Sequence, residues 1–107
     1  MNVVILSGQI AANGTVRGQR ARVLAFVVNV KHPANGEDDE TITPIPVVIF
    51  NPAESVAKMI TTEGKGLFVE FQGRINISRY EHDDRPRSSL EIIGYNKTLL
   101  LFRNGQT

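Results

Sequence analysis

The sequence predicts an all-β domain that carries one short helix. Three observations lead there. Apolar residues recur at every second position over most of the chain, and turn-forming clusters such as Asn13-Gly14 and Asn35-Gly36 interrupt those runs. Only the stretch 51–64 combines helical start and stop signals with an apolar stripe at helical spacing.

Val3-Val4-Ile5-Leu6 opens the chain as a β-rich run with apolar side chains on both faces. After turns at Asn13-Gly14 and Gly18, a second strand runs from about Arg20 to Val30. In it Arg22, Leu24, Phe26, Val28 and Val30 share one face, and Val23, Ala25, Val27 and Asn29 the other. Lys31 to Thr43, with Pro33, Asn35-Gly36 and the acidic run Glu37-Asp38-Asp39-Glu40, reads as a long exposed hairpin loop. Pro44 to Phe50 is a third strand, its prolines confined to the start, where a missing N–H is tolerated.

The helix follows at once. Asn51 suits the N-cap, Pro52 the first helical position, and Glu54 completes a capping box three residues after the cap. Ala53, Val56, Ala57 and Ile60 then form one apolar stripe, and Gly64 is placed to end the helix in a left-handed cap.

Beyond Gly66 the period returns to two. Leu67, Val69, Phe71, Gly73, Ile75 and Ile77 alternate with Phe68, Glu70, Gln72, Arg74, Asn76, Ser78 and Tyr80, a long strand with one buried face. Glu81 to Pro86 forms a charged tip, and a last strand runs from about Ser88 to Phe102, leaving Arg103 to Thr107 as a polar stub. Five strands with one helix between the third and fourth describe a five-stranded Greek-key barrel of the OB-fold type, the helix plugging an open end. A small sandwich or a split α+β sheet accounts less well for the lone capped helix. The whole chain, 1–107, is expected to be one such domain.

Composition narrows the function. With 107 residues, 41% hydrophobic and 21% charged, the chain is an ordinary globular domain. No apolar run approaches the ~20 residues of a membrane span, and the start lacks the cationic lead of a secretory signal, so no membrane and a cytoplasmic location are expected. The absence of Cys removes disulfides, thiolate nucleophiles and Cys-ligated zinc. The net charge of +1 neither demands nor forbids a polyanion, so the placement of charge decides.

Four patches resemble bacterial single-stranded DNA-binding proteins. Met1 to Gly8 looks like that family's opening strand, and Val47 to Ala57, including Phe50-Asn51-Pro52, like its apolar strand and following helix. Lys65 to Ile75, with Gly73-Arg74, is similar to its alternating strand, and Ser78-Arg79-Tyr80-Glu81 to its basic-aromatic stretch. Length and architecture are also similar to primosomal replication protein N. The resemblance implies an OB-fold, single-stranded DNA as ligand, and a homodimer or homotetramer. Two departures stand out. The family stacks bases on tryptophans, and this chain has none; the expected sites fall near His32 to Ala34 and near Pro44 and Ile45, so that only Tyr80 and Phe50 keep the pattern. The family's acidic-tipped tail, which recruits repair and replication enzymes, is also not expected here.

Single strands are held by a cationic groove that follows phosphates and by aromatic faces under the bases. Arg17, Arg20, Arg22 and Lys31 lie along the first hairpin without an intervening acid. Arg74 and Arg79 are read as projecting with Asn76, Ser78 and Tyr80 from one face, and Arg85 and Arg87 flank the last tip. If the strands neighbour one another, these groups converge while Glu37 to Glu40 extends elsewhere, as a solvated loop or a phosphate mimic. Tyr80 is either a stacking platform or a hairpin aromatic packed on its neighbour. Phe68 lies on the polar face, which suits ligand or interface contact unless a bulge turns it inward. Phe50 reads as core, as do Phe26, Phe71 and Phe102; Tyr95 is ambiguous.

Catalysis finds no constellation. His32 and His82 are far apart, Glu81-His82-Asp83-Asp84 has no second donor cluster, and Gly64-Lys65-Gly66 lacks the spacing of a phosphate loop. No catalytic residue, metal or cofactor is expected. Val3 and Ile5 on one face, and Val4 and Leu6 on the other, exceed what one small barrel buries, as do Leu99 to Phe102; pairing through the first strand would cover them. The functional expectation is a sequence-tolerant single-stranded DNA-binding protein that coats unwound DNA in replication, recombination or repair, with replication or repair proteins as further partners. The alternative is a protein-interaction module whose groove has lost its stacking residues.

Overall fold

A computed structural model describes residues 1–33 and 40–103. Its strands are β1 (Val4–Ile10), β2 (Thr15–Arg17), β3 (Val23–Pro33), β4 (Glu40–Phe50), β5 (Phe68–His82), β6 (Arg85–Gly94) and β7 (Leu100–Phe102), with one helix, α1 (Glu54–Glu63), between β4 and β5. Five of them close a ring. β1 pairs with β3, β3 with β4, β4 with β6, β6 with β5, and β5 returns to β1 from Val4↔Gly73 to Gln9↔Phe68. All these pairings are antiparallel except β4 with β6, which run parallel through Val47↔Ile92 and Val48↔Ile93. This is the expected OB-fold. The short strands β2 and β7 are additions that pair onto β3 and β5.

The barrel interior is built by alternation. Leu24, Phe26 and Val28 from β3, Val47 and Ile49 from β4, and Val69 and Phe71 from β5 are all buried, with Ile10 and Ile92 closing the cluster. Each such side chain contributes roughly 1.5–3 kcal/mol relative to exposure. Helix α1 plugs one end through Ile60 and Ala57, with Val56 and Met59 packed at the margin. Gly94 fits closely where β6 passes the core: a Cβ there would lie 3.1 Å from the Phe71 ring and 3.2 Å from Ile49, so any side chain would push these neighbours aside.

The helix ends differ from expectation. Asn51 adopts a positive φ of 50° and Ala53 is extended, so the helix begins at Glu54 with no side-chain cap of its own. Gly64 stays right-handed, and the left-handed reversal falls two residues later at Gly66, φ 91°. Asn51 spends its conformational freedom on turning the chain out of β4, and the capping box does not form.

Strand limits also shift. The second predicted strand is two, β2 and β3, and the expected loop from Lys31 to Thr43 is largely ladder, since pairing continues to Pro33↔Glu40. The acidic run Glu37 to Asp39 lies outside the described residues, as does the polar stub beyond Arg103. Pro44 and Pro46 sit where β4's second edge is open, because β6 joins only at Val47. The last strand is broken by a 3-10 turn at Asn96–Thr98, which Thr98 ties down by donating its hydroxyl to the Tyr95 carbonyl at 2.7 Å.

The β5–β6 hairpin leaves the barrel. Past Gly73 its inner side opens toward solvent, so Ile75, Ile77 and Leu90 are exposed instead of forming the buried face that alternation suggested. Asn2 fastens the base of this arm, its side chain donating to the Ile75 carbonyl and accepting from the Ile75 N–H, both at 2.9 Å. At the tip only Asp83 and Asp84 turn, with φ of 53° and 60°, and pairing holds to His82↔Arg85. A two-residue turn with both φ positive matches the twist of the strands it joins. The charged tip is therefore much tighter than the stretch Glu81 to Pro86.

Candidate nucleic-acid interface

The outer wall of the barrel can be followed row by row from the strand register. One row runs Thr15↔Ala25↔Val48↔Ile93↔Arg74 across β2, β3, β4, β6 and β5. The next carries Arg17↔Val23↔Phe50. Over these rows and the neighbouring Val27↔Pro46 pair lies a trough of about 430 Å³ whose walls include Arg17, Val23, Val27, Pro46, Val48 and Glu91. Its floor is apolar, with Arg17 and Glu91 as its charged lining residues.

Phe50 turns away from the core. It is 50% exposed at the last position of β4, next to Val23, because its parity matches Pro46 and Val48 and not the buried Val47 and Ile49. Reading it as core was wrong: the apolar run before it hid the change of face at the strand end.

The trough continues onto the β5–β6 arm. Asn76 donates to Glu91 at 3.1 Å, and the same face then carries Ser78, the pair Tyr80↔Arg87 and the pair His82↔Arg85. Tyr80 is 51% exposed and helps line an open cleft of about 450 Å³ with Arg79, Glu81, Pro86, Arg87 and Ser88. The unbroken register from Gly73 to His82 puts Arg79 on the other face of the arm, with Ile75 and Ile77. Alternation alone separates Arg79 from Tyr80, so the shared face expected for Arg74 and Arg79 does not hold.

Charge on this wall is unspent. Among the described residues the ion pairs are His82–Asp83 and Arg103–Glu63, both exposed. No carboxylate of a described residue therefore lies within 4.0 Å of the cationic groups of Arg17, Arg74, Arg85 or Arg87. One surface thus combines exposed guanidinium groups, two exposed aromatic rings and an apolar floor, the parts that grip an unpaired polynucleotide.

The sequence matches the family described as "Single-strand binding protein family" over residues 1–100. The chain belongs to that family. Among solved structures, a Plasmodium falciparum SSB in complex with ssDNA superposes with a TM-score of 0.74 at 17% identity, covering 94% of this chain and 92% of that one. At that identity the likeness establishes the fold. No curated protein matches the chain significantly.

In this single-strand binding family member, the remaining candidate residues fall elsewhere. Arg20 is exposed in the turn between β2 and β3. Arg22 lines a groove against the helix, with Val16, Glu54 and Lys58, and not the trough. Lys31 shares a third cleft with Gln9, Asn29, Ile42, Phe68 and Phe102. There Phe68 stacks on Phe102, ring centroids 5.8 Å apart and planes within 7°. No bulge interrupts β5, so Phe68 stays on the outer face, and Phe102 is half-exposed beside it instead of core.

Strand β1 divides by parity. Val4 and Leu6 pack against the core cluster, whereas Val3 and Ile5 point outward, Ile5 being 69% exposed. The β3 pairing reaches only Gln9 and Ile10, so one edge of β1 is unpaired over the residues before them. Among the described residues no group of three His, Asp or Glu side chains stands close enough to hold a metal ion, and no helix is long and apolar enough to cross a membrane.

Proposed function

We propose that this chain binds single-stranded DNA with little regard to sequence, coating unwound DNA during replication, recombination or repair, and that it does so without catalysis. The observation that carries the reading is the outer wall on which Arg17, Arg74, Arg85 and Arg87 have no carboxylate partner among the described residues, with Phe50 and Tyr80 exposed on the same wall. Phosphates follow the guanidinium groups and bases stack on the rings, each stack being worth about 1–3 kcal/mol. Membership of the single-strand binding family and the fold shared with an SSB solved with ssDNA support the same ligand.

The reading takes the chain as one OB domain working in the cytoplasm as a homodimer or homotetramer, joined through β1, with replication or repair proteins as further partners. The open edge of β1 and the outward Val3 and Ile5 favour that assembly. Fluorescence anisotropy with labelled oligo-dT at two salt concentrations tests the function. Binding should weaken linearly with log salt, with a slope of about −0.7 per phosphate neutralised. No binding at ~50 mM salt, where such contacts are strongest, refutes it.

A second reading is favoured by one observation, that the wall offers two exposed aromatic rings and no Trp. On it, the trough docks a replication protein instead of DNA. Capture of a partner that survives nuclease treatment, by a pure protein that ignores oligo-dT, selects this alternative.

A further inference from the structure

Helix α1 has no cap from its own sequence, yet the turn before it is held by a residue 43 positions away. The Asn96 side chain donates from Nδ2 to the Asn51 carbonyl and accepts at Oδ1 from the Ala53 N–H, each at 3.2 Å. Asn51 in turn donates its N–H to the Arg22 carbonyl at 2.8 Å and turns the chain at positive φ. Phe50, the half-exposed ring paired with Val23 of the trough lining, is the residue directly before this turn.

Asn96 is itself anchored. The 3-10 turn that carries it is bound to β5, where Gln72 accepts from the Tyr95 N–H at 2.8 Å and donates its own N–H to the Thr98 hydroxyl at 3.0 Å. A set of hydrogen bonds therefore runs from β5, a strand of the barrel, through the Asn96 turn to the Asn51 carbonyl, one residue beyond Phe50. The Arg22 carbonyl, directly before β3, holds the Asn51 N–H. An exposed ring at a strand end has many directions available, and fixing its backbone on both sides lowers the entropy lost when a base stacks on it.

We infer that Asn96 is a positioning residue for nucleobase binding, acting through the Asn51 turn to hold Phe50 in its stacking orientation. The inference rests on the single-stranded DNA reading above. A purely structural role would affect phosphate gripping and base stacking alike. A positioning role affects stacking alone.

The test compares oligo-dT with an abasic oligonucleotide of equal length, which keeps phosphates but offers no bases. Asn96→Ala should lower affinity for oligo-dT about 3- to 10-fold, a part of one stacking contact, and leave abasic binding unchanged. Asn96→Asp keeps the acceptor for Ala53 and adds a negative charge near the helix start, which favours the helix, but loses the donor to Asn51. The charge at the helix start offsets the repulsion between the new carboxylate oxygen and the Asn51 carbonyl. The variant should therefore stay folded and still lose preference for dT over abasic, so the result stands even if the alanine variant folds poorly. In a Phe50→Ala background neither change should alter that preference further. An unchanged dT preference in Asn96→Asp overturns the inference, as does an undiminished effect without Phe50. A wild type that ignores oligo-dT removes the DNA reading and this role together, whereas a wild type that binds while the variants match it removes this role alone.

Discussion

Tyr80 lies directly across the β5–β6 ladder from Arg87, and both side chains leave the arm on the face that carries Asn76, Ser78 and Arg85. Cross-strand partners on one face have Cβ atoms about 4.5–5.5 Å apart, near enough for one nucleotide to meet the ring and the guanidinium together. Tyr80→Ala should therefore weaken oligo-dT binding by about 1–3 kcal/mol, roughly 5- to 150-fold, with the arm still folded. Tyr80→Phe should retain most of the affinity, because the ring and not the hydroxyl does the stacking. Anisotropy titration of both variants checks this, and equal losses would contradict the stacking role.

The guanidinium groups are not equivalent. Arg74 and Arg17 end rows that cross the trough wall, while Arg22 faces Glu54 and Lys58 beside the helix. Arg74→Ala and Arg17→Ala should each reduce the salt slope of single-strand binding by about 0.7. Arg22→Ala should leave the slope unchanged within error. A slope measured over several salt concentrations for the three variants decides, and a loss at Arg22 equal to that at Arg74 would sink the assignment of the wall.

Much of this was legible in the chain, for physical reasons that also explain the failures. Period-two runs ending in turn residues specify strands, and one stripe of Val56, Ala57 and Ile60 can only be a helix, so element order and hence the barrel follow. Faces are harder. The parity that buries Val47 and Ile49 exposes Phe50, and the sequence does not say where β5 leaves the barrel, so Ile75 and Ile77 read as core. Asn51 and Gly64 looked like caps because their local preferences allow it. The winning contact at Asn51 came from Asn96, far along the chain, where no local pattern reports it. The split of the cationic residues into wall, helix groove and Lys31 cleft is likewise set by register, not by spacing in sequence.

Helix α1 is held to the barrel chiefly by Ile60, which is fully buried at its end. Ile60→Ala leaves a cavity under the helix and should reduce stability by about 2–5 kcal/mol. Chemical denaturation followed by circular dichroism measures it. A loss under ~1 kcal/mol would show that the plug is not part of the cooperative core.

Asp83 and Asp84 both take positive φ at the tip of the arm, a conformation that Asn and Gly adopt with less strain. Replacing the pair by Asn-Gly should stabilise the hairpin by about 0.5–1 kcal/mol. It also removes two negative charges a few residues from Arg85 and Arg87, so oligo-dT should bind more tightly at low salt and equally at high salt. A gain that persists at ~1 M salt would mean that charge is not the cause.

The last prediction concerns β1. Ile5 is 69% exposed and Val3 56%, on a strand whose outer edge is unpaired over most of its length. An open edge with apolar side chains beside it invites a second strand, and a copy of β1 covers both at once. Ile5→Glu places a charge on each side of such a contact, and like charges facing across paired strands are destabilising. The variant should sediment as a monomer where the wild type sediments as a dimer or tetramer. Its affinity for a short oligonucleotide that fits one trough should be unchanged. For a long oligonucleotide it should fall by about 10²-fold or more, because one strand no longer engages several troughs at once. A monomeric wild type at micromolar concentration, or equal losses on short and long strands, would end the idea that assembly through β1 serves binding.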